Sequence, residues 1–259
     1  MNVLFIGDIT GMAGLTMVAE QLPLILKDYP SDVVVANAEN VAPGGRGITP
    51  GLAERLFDAG VEMLTMGNHV WDQREAYNFI KSDRRVVRPA NFHASVPGVG
   101  YTVCKAGSGE LAIVSMIGRT YMGLYECPFT TGDRLVEEIR KRTPHILVDF
   151  HAEVTSEKLA MGWHLDGRVS AVVGTHTHVQ TADERILPEG TAYITDVGMT
   201  GPRDGILGVK REQIIRRFID QMPVRFELAD GARQLSAVHI SLADNGRATH
   251  ITRLLLVDQ

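Results

Sequence analysis

A single α/β domain is what this sequence predicts, and three features carry the prediction. Short apolar runs rich in β-branched residues alternate with amphipathic stretches along most of the chain. Each run is bounded by Gly or polar residues, as the buried strands of an α/β sheet are. No internal repeat, low-complexity tract or Pro- or Ser-rich linker divides residues 1–259. A mixed sheet or two stacked sheets, flanked by helices, is the simplest arrangement.

Residues 3–6, 33–36, 63–66, 111–117, 146–150 and 169–173 form the candidate strands. Residues 49–60 read as a helix because Thr49 supplies an N-cap, Pro50 opens the first turn and Gly60 marks the stop. Residues 132–142, 156–165 and 210–220 carry similar helical spacing. Near the C-terminus the period changes. Residues 235–243 and 248–257 flank Asp244-Asn245-Gly246, whose Asn-Gly pair favours a hairpin turn. A second hairpin is expected to join 100–105 to 111–117 through Gly107-Ser108-Gly109.

Composition narrows the function. Aromatic residues are only 6% of the chain, too few to suggest a stacking surface for single-stranded nucleic acid. The formal charge of -5 lacks the basic field of a protein that grips phosphate backbones, so no stable nucleic-acid binding is expected. Cys104 and Cys127 form neither a C-x-x-C pair nor a disulfide framework, which points to a reducing compartment. No stretch has the form of a secretion signal or reaches membrane-spanning length, and a cytoplasmic location without membrane contact is expected.

The chemistry-bearing residues cluster at the ends of the candidate strands. Residues 3–6 run into Gly7-Asp8, 33–36 into Asn37-Ala38-Glu39-Asn40, and 63–66 into Gly67-Asn68-His69. Residues 146–150 lead to His151-Ala152-Glu153, and 169–173 to Gly174-Thr175-His176-Thr177-His178. Ligands of open α/β sheets bind at the carboxyl ends of strands, so these groups are expected to converge on one crevice. Each is ambiguous alone. Asp8 has the alternative reading of a helix-capping turn residue, and Glu39 that of a buried salt-bridge partner. Gly7, Gly11 and Gly14 do not match the dinucleotide spacing, and a carboxylate within that turn would oppose a pyrophosphate. His176 and His178 lie two apart, which in extended backbone sends both imidazoles to one face. His151 then supplies a third imidazole from a neighbouring strand. His93, His145, His164, His239 and His250 have no assigned role.

Taken together these motifs resemble the metallophosphoesterase superfamily, across residues 8–178 and with their order intact. That family's pattern is an Asp after the first strand, a second acid, Gly-Asn-His, a lone His and a final His-x-His. Two departures stand out. The first motif reads Asp8-Ile9-Thr10 where Asp-x-His is usual, and the second reads Ala38-Glu39-Asn40 where Gly-Asp is usual. Asn37-Ala38-Glu39-Asn40 and residues 175–183 are similar to the YmdB-like bacterial branch, and that similarity covers nearly the whole chain. It implies a sandwich of two mixed sheets flanked by helices, a di-iron site, and hydrolysis of 2′,3′- or 3′,5′-cyclic nucleotides.

On this resemblance Glu39 bridges two ions. Asp8 and His178 complete one shell, with Asn40 replacing the missing histidine; Asn68, His151 and His176 complete the other. Mixed imidazole and oxygen donors suit iron, manganese or zinc better than calcium or magnesium. Two such ions, roughly 3.5–4 Å apart, clamp a phosphodiester for in-line attack by a water they share and deprotonate. His69 is the expected proton donor to the leaving oxygen. Asp72 either orients that ring or caps the next helix. Arg46, in Pro43-Gly44-Gly45-Arg46-Gly47, is either an anion contact or part of a plain surface loop. A phosphomonoesterase on the same metals, and a non-catalytic regulator that binds RNA or protein, are the rival readings. The C-terminal hairpin edge suggests a symmetric homo-oligomer.

Overall fold

The computed structural model describes residues 1–258 and consists of two mixed sheets packed face to face between helices. The larger, 8-stranded sheet begins with β1 (Asn2–Ile6) and β2 (Asp8–Ile9), followed by α1 (Gly11–Asp28) and β3 (Val33–Asn37). Helix α2 (Pro50–Asp58), β4 (Met63–Thr65), α3 (Ala76–Ser82) and β5 (Val86–Val87) complete its first half. The chain then builds the 6-stranded sheet from β6 (Tyr101–Ala106), β7 (Gly109–Ile117), α4 (Pro128–Ile139), β8 (Ile146–His151), α5 (Thr155–Leu165), β9 (Ala171–Thr175), β10 (Arg185–Ile186) and β11 (Ala192–Ile194). It returns to the first sheet through β12 (Met199–Pro202), α6 (Arg211–Asp220), β13 (Arg233–Leu242) and β14 (Ala248–Val257).

Strand order is β2-β12-β13-β1-β3-β4-β5 in the first sheet, with β14 on β13, and β10-β11-β9-β8-β7-β6 in the second. β1, β3, β4 and β5 run parallel, as do β7, β8, β9 and β11, while β13 and β6 join antiparallel. The period-2 alternation of the strands sorts their side chains into layers. Val3, Phe5, Val33 and Val35 meet Ile113, Leu147 and Val173 between the sheets. Leu4, Ile6, Val34 and Leu64 face the other way, onto Leu15, Val18 and Leu22 of α1 and Leu52 and Leu56 of α2. Val114, Val148, Phe150 and Val172 pack on Leu135 and Ile139 of α4 and on Met161 and Leu165 of α5. The result is an α/β/β/α sandwich.

Both expected hairpins form. β6 pairs with β7 across Gly107-Ser108, and β13 pairs with β14 with a bulge at Ser241/Leu242. Thr49 caps α2 by accepting a hydrogen bond from Leu52 N at 3.4 Å, ahead of Pro50. The 18-residue helix α1 has no counterpart in the sequence reading, where Gly11, Gly14 and Pro23 obscure its period. Gly14 is there for packing: a Cβ would lie 2.3 Å from Thr200 O of β12, so only Gly lets the helix approach that strand.

Candidate metal centre

The crevice forms where β1, β3, β4, β8 and β9 end. Glu39 and Asn40 follow β3, Asn68 and His69 follow β4, His151 is the last residue of β8, and His176 leaves β9. The geometry is close. His151 Nε2 lies 2.9 Å from Glu39 Oε1, 3.0 Å from Asn68 Oδ1 and 3.0 Å from His176 Nδ1. Glu39, His151 and His176 each direct a donor atom to within 4.8 Å of the others. One imidazole N–H cannot serve a carboxylate oxygen, an amide oxygen and a second imidazole nitrogen together, whereas a cation can be shared by such lone pairs.

A second set of oxygens adjoins the first. Asp8 Oδ1 and Asn40 Oδ1 are buried without a hydrogen-bond partner. Asp8 Oδ2 accepts from His176 N at 3.2 Å, and Asn40 Nδ2 donates to Gly45 O at 2.8 Å, which leaves one oxygen of each available. His178 Nδ1 faces Leu207 O at 3.3 Å, so its Nε2 is the nitrogen left to bind. Unpartnered buried oxygens beside an imidazole suit a second cation, and on these grounds the residues fit a pair of metal ions.

Charge is heavily redistributed in this pocket. Burial pushes the Glu39 carboxyl up, but the adjoining His151 imidazolium, by charge and hydrogen bond, overcomes this and holds it at about 2. Burial depresses His151 in turn, and the Glu39 carboxylate outweighs that to raise it to about 9. Burial and the neighbouring His151 charge push His176 down to about 3. Burial raises Asp8 well above the usual carboxylate range despite His151. A buried acid that resists ionisation beside an imidazole that resists protonation is an arrangement that bound cations would relieve.

Further groups orient the donors. Thr175 Oγ1 donates to Asp149 Oδ1 at 2.7 Å and stands 2.8 Å from His151 Nδ1, so it can accept a hydrogen bond from Nδ1–H and keep Nε2 turned to the centre. Glu153 Oε2 lies 3.0 Å from His176 Nε2 and does the same for that ring's Nδ1. Gly67 is required by crowding, since a Cβ would meet His151 Nε2 at 2.4 Å and Glu39 Oε2 at 2.5 Å.

His69 stands at the edge of this set. Its main-chain N donates to Glu39 Oε2 at 2.8 Å, and its Nδ1 contacts Asp72 Oδ2 at 2.9 Å. Asp72 does not cap α3, whose N-cap position is Glu75. A cavity of about 290 Å³ opens over the centre, with Asn40, His69, Glu153, His176 and His178 on its polar side. Gly44, Gly45 and Arg46 form one lip, and Leu207, Val209, Phe226 and Leu228 an apolar wall.

One expectation is corrected. His176-Thr177-His178 is not extended: β9 stops at Thr175, and His176 and His178 have φ of 96° and 63°. The amides of His176 and Thr177 turn inward to donate to Asp8 Oδ2 and Asp196 Oδ2, which bends the chain there. Left-handed backbone at non-glycine residues costs of the order of 1–3 kcal/mol each, and surrounding contacts hold it. Glu153, Asp149, Lys158 and Asp196 were not singled out from sequence. Asp149 carried a signal, being an acid inside an apolar strand. Lys158 and Asp196 carried none, because they are distant in sequence.

A family model described as YmdB-like protein matches residues 4–254. The 2′,3′-cyclic-nucleotide 2′-phosphodiesterase of Bacillus subtilis (strain 168) is 52% identical over 259 residues, covering 100% of this chain and 98% of that protein. A crystal structure described as a novel phosphatase of Mycoplasma pneumoniae superposes with a TM-score of 0.93 at 34% identity, over 99% of this chain and 93% of that one. The 5′-nucleotidase precursor of Thermus thermophilus shares the fold alone, with a TM-score of 0.60 at 13% identity over 99% of this chain and 54% of that one. Two mixed sheets with acid, amide and imidazole groups gathered at their strand ends define a metallophosphoesterase, a metal-dependent hydrolase of phosphoric esters. Within that class, the chain belongs to the YmdB-like family.

Proposed function

We propose that this protein hydrolyses cyclic-nucleotide phosphodiesters, 2′,3′-cyclic and also 3′,5′-cyclic, at a centre of two transition-metal ions, with iron first and manganese or zinc as alternatives. The observation that carries this reading is the meeting of Glu39, Asn68 and His176 on His151 Nε2, beside the unpartnered oxygens of Asp8 and Asn40. The substrate class comes from the Bacillus relative, whose described activity is on 2′,3′-cyclic nucleotides.

Asn68, His151 and His176 would hold one ion, Asp8, Asn40 and His178 the other, and Glu39 both. When bound, the ions supply Lewis-acid charge and a nucleophilic water at neutral pH. The remaining work falls to the chain. His69 gives a proton to the leaving oxygen, and Asp72 orients its ring through Nδ1 so that Nε2 faces the cavity. Arg46 and the Gly44-Gly45 backbone form the lip against which non-bridging phosphate oxygens rest. Phe226 and Leu228 limit water along the apolar wall, where Leu228 lies against Gly45. We place the protein in the cytoplasm. Both cysteines are free, and no helix among the described residues is long and apolar enough to cross a membrane.

Elemental analysis and a substrate panel test this directly. Two ions per chain are expected after reconstitution with iron or manganese, with turnover abolished by a strong chelator. Glu39→Gln is expected to lose more activity and metal than a conservative change at any other donor. At most one ion per chain, or full activity in Glu39→Gln, would end the two-metal reading. Faster hydrolysis of nucleoside monophosphates than of cyclic nucleotides would make the protein a phosphomonoesterase.

A further inference from the structure

A second cavity, of about 380 Å³, lies beside Asn68 and is not used by the chemistry above. Its walls come from separate loops: Trp71 follows the Gly67-Asn68-His69 turn, Phe92, His93 and Val96 follow β5, and Leu124, Tyr125 and Glu126 precede α4. Aromatic residues are 6% of this chain, so the convergence of Trp71, Phe92 and Tyr125 is not what abundance alone would produce. The Phe92 and Tyr125 rings are stacked, with centroids 5.1 Å apart and planes at 27°.

The pocket is built rather than incidental. Asn91 is fully buried; its Nδ2 donates to Ile117 O at 2.8 Å and Glu126 O at 3.0 Å, and its Oδ1 accepts from Ile117 N at 2.9 Å. Glu126 N returns a bond to Asn91 O at 3.0 Å. These bonds clamp the loop bearing Tyr125 to the end of β7, so the rings are positioned before any ligand arrives. The volume lies in the range of small-molecule sites, and its apolar walls carry few polar groups. Glu126 forms no ion pair among the described residues and offers acceptor oxygens at the rim.

Resting on the cyclic-nucleotide reading, we propose that this cavity is the nucleobase subsite. The base stacks on the aromatic wall of Trp71 and Tyr125, and Glu126 accepts a hydrogen bond from an exocyclic amino or ring N–H group. Asn68 is the link: its Oδ1 lies 3.0 Å from His151 Nε2 while the residue lines the aromatic cavity, so a phosphate over the centre sits next to the base pocket.

The test compares 2′,3′-cyclic AMP with ribose 2,3-cyclic phosphate, which has the reacting diester but no base. Trp71→Ala is expected to lower the ratio of their kcat/KM values roughly 10–100-fold, as loss of one base-stacking partner does. Leu124→Asp, on a side chain that is fully exposed and so cannot unfold the core, is expected to lower it in the same sense. Binding is read separately. The chain has 2 tryptophans, so in a Trp163→Phe background the emission reports Trp71 alone, and adenosine is expected to quench it. An unchanged ratio in both variants, or absence of quenching, overturns the subsite. So does a base-selective loss in Phe226→Ala, which would move the base to the other cavity. If cyclic nucleotides are not hydrolysed but adenosine quenches Trp71 and Leu124→Asp abolishes the quench, the pocket stands and the substrate reading fails.

Discussion

Lys158 Nζ lies 2.6 Å from Asp196 Oδ2, and both side chains are buried. The pair does more than neutralise itself. Asp196 Oδ2 also accepts from Thr177 N at 3.1 Å and Thr177 Oγ1 at 2.6 Å, and Asp196 Oδ1 accepts from Gly198 N at 2.7 Å. Thr177 is the residue between the two left-handed histidines, so the ion pair holds the strained turn that presents them.

Breaking that pair from one side leaves an uncompensated buried charge. Lys158→Met or Asp196→Asn is therefore expected to destabilise the protein by about 3–5 kcal/mol. The double variant Lys158→Met/Asp196→Asn is expected to cost clearly less than the sum of the single changes, because neither charge is then stranded. Urea unfolding of the three variants checks this. Additivity to within about 0.5 kcal/mol would show that the two groups act independently.

The two cysteines are expected to differ sharply in reactivity. Burial, with Glu62 nearby, pushes the Cys104 thiol up to about 11. Cys127 sits at the start of α4, where the Thr130 and Phe129 amides pull its thiol below the ordinary range. The thiolate is the reacting species, and a raised pKa delays its formation to higher pH. At pH 8 iodoacetamide should label Cys127 first. The Cys104 rate should climb about tenfold per pH unit until the pH nears its pKa. Peptide mass spectrometry after timed quenching reads both sites, and equal labelling at pH 8 would contradict the assignment.

Much of the fold was legible because its signals are local. The apolar run 33–36 contains three valines, Asn-Gly marks the β13–β14 turn, and Thr49-Pro50 opens α2. These are set by backbone preference and need no tertiary context. Helix α1 was hidden because Gly14 serves its contact with Thr200 rather than its own propensity. Strands β10, β11 and β12 are too short to show a period. In the crevice, the strand-end donors were visible because strand ends are where α/β sheets place ligands. The bent His176-Thr177-His178 backbone was not, since it depends on Asp8 and Asp196, which are remote in sequence.

An oligomer is expected, and the structure offers two surfaces for it. β14 pairs as a strand only with β13; Ala248 N donates to Gly190 O at 2.8 Å and Gln180 Nε2 to Leu254 O at 3.0 Å, so the stretch between these contacts is the edge it offers for pairing. Helix α6 has no buried residue, and Phe218 and Ile219 are 81% and 79% exposed, with Ile215 on the same face and the exposed Met222 just beyond the helix end. Light scattering at micromolar concentration should give a multiple of the 28.4 kDa chain mass. Phe218→Glu with Ile219→Glu should lower that mass if the helix supplies the interface, whereas a strand-edge interface would survive it. A monomer mass for the unaltered protein would rule out both.

The last prediction separates the metal donors from the proton donor. His151 and His176 share a contact with Glu39 or with each other, and replacing either, or His178, should reduce metal occupancy. His69 differs. Its Nδ1 is directed to Asp72, and only its backbone touches Glu39. His69→Ala should therefore keep both ions while turnover of a cyclic diester falls roughly 10²–10⁴-fold, the usual contribution of a general acid. The loss should shrink for a nitrophenyl diester, because nitrophenolate leaves without protonation whereas a ribose alkoxide does not. Asp72→Asn should give a smaller loss with the same dependence on the leaving group, since it disturbs the orientation of the ring and leaves its proton in place. Metal content and rates on an alkyl and an aryl diester decide the matter. Equal losses on both substrates, or loss of an ion in His69→Ala, would make His69 a ligand or a structural support.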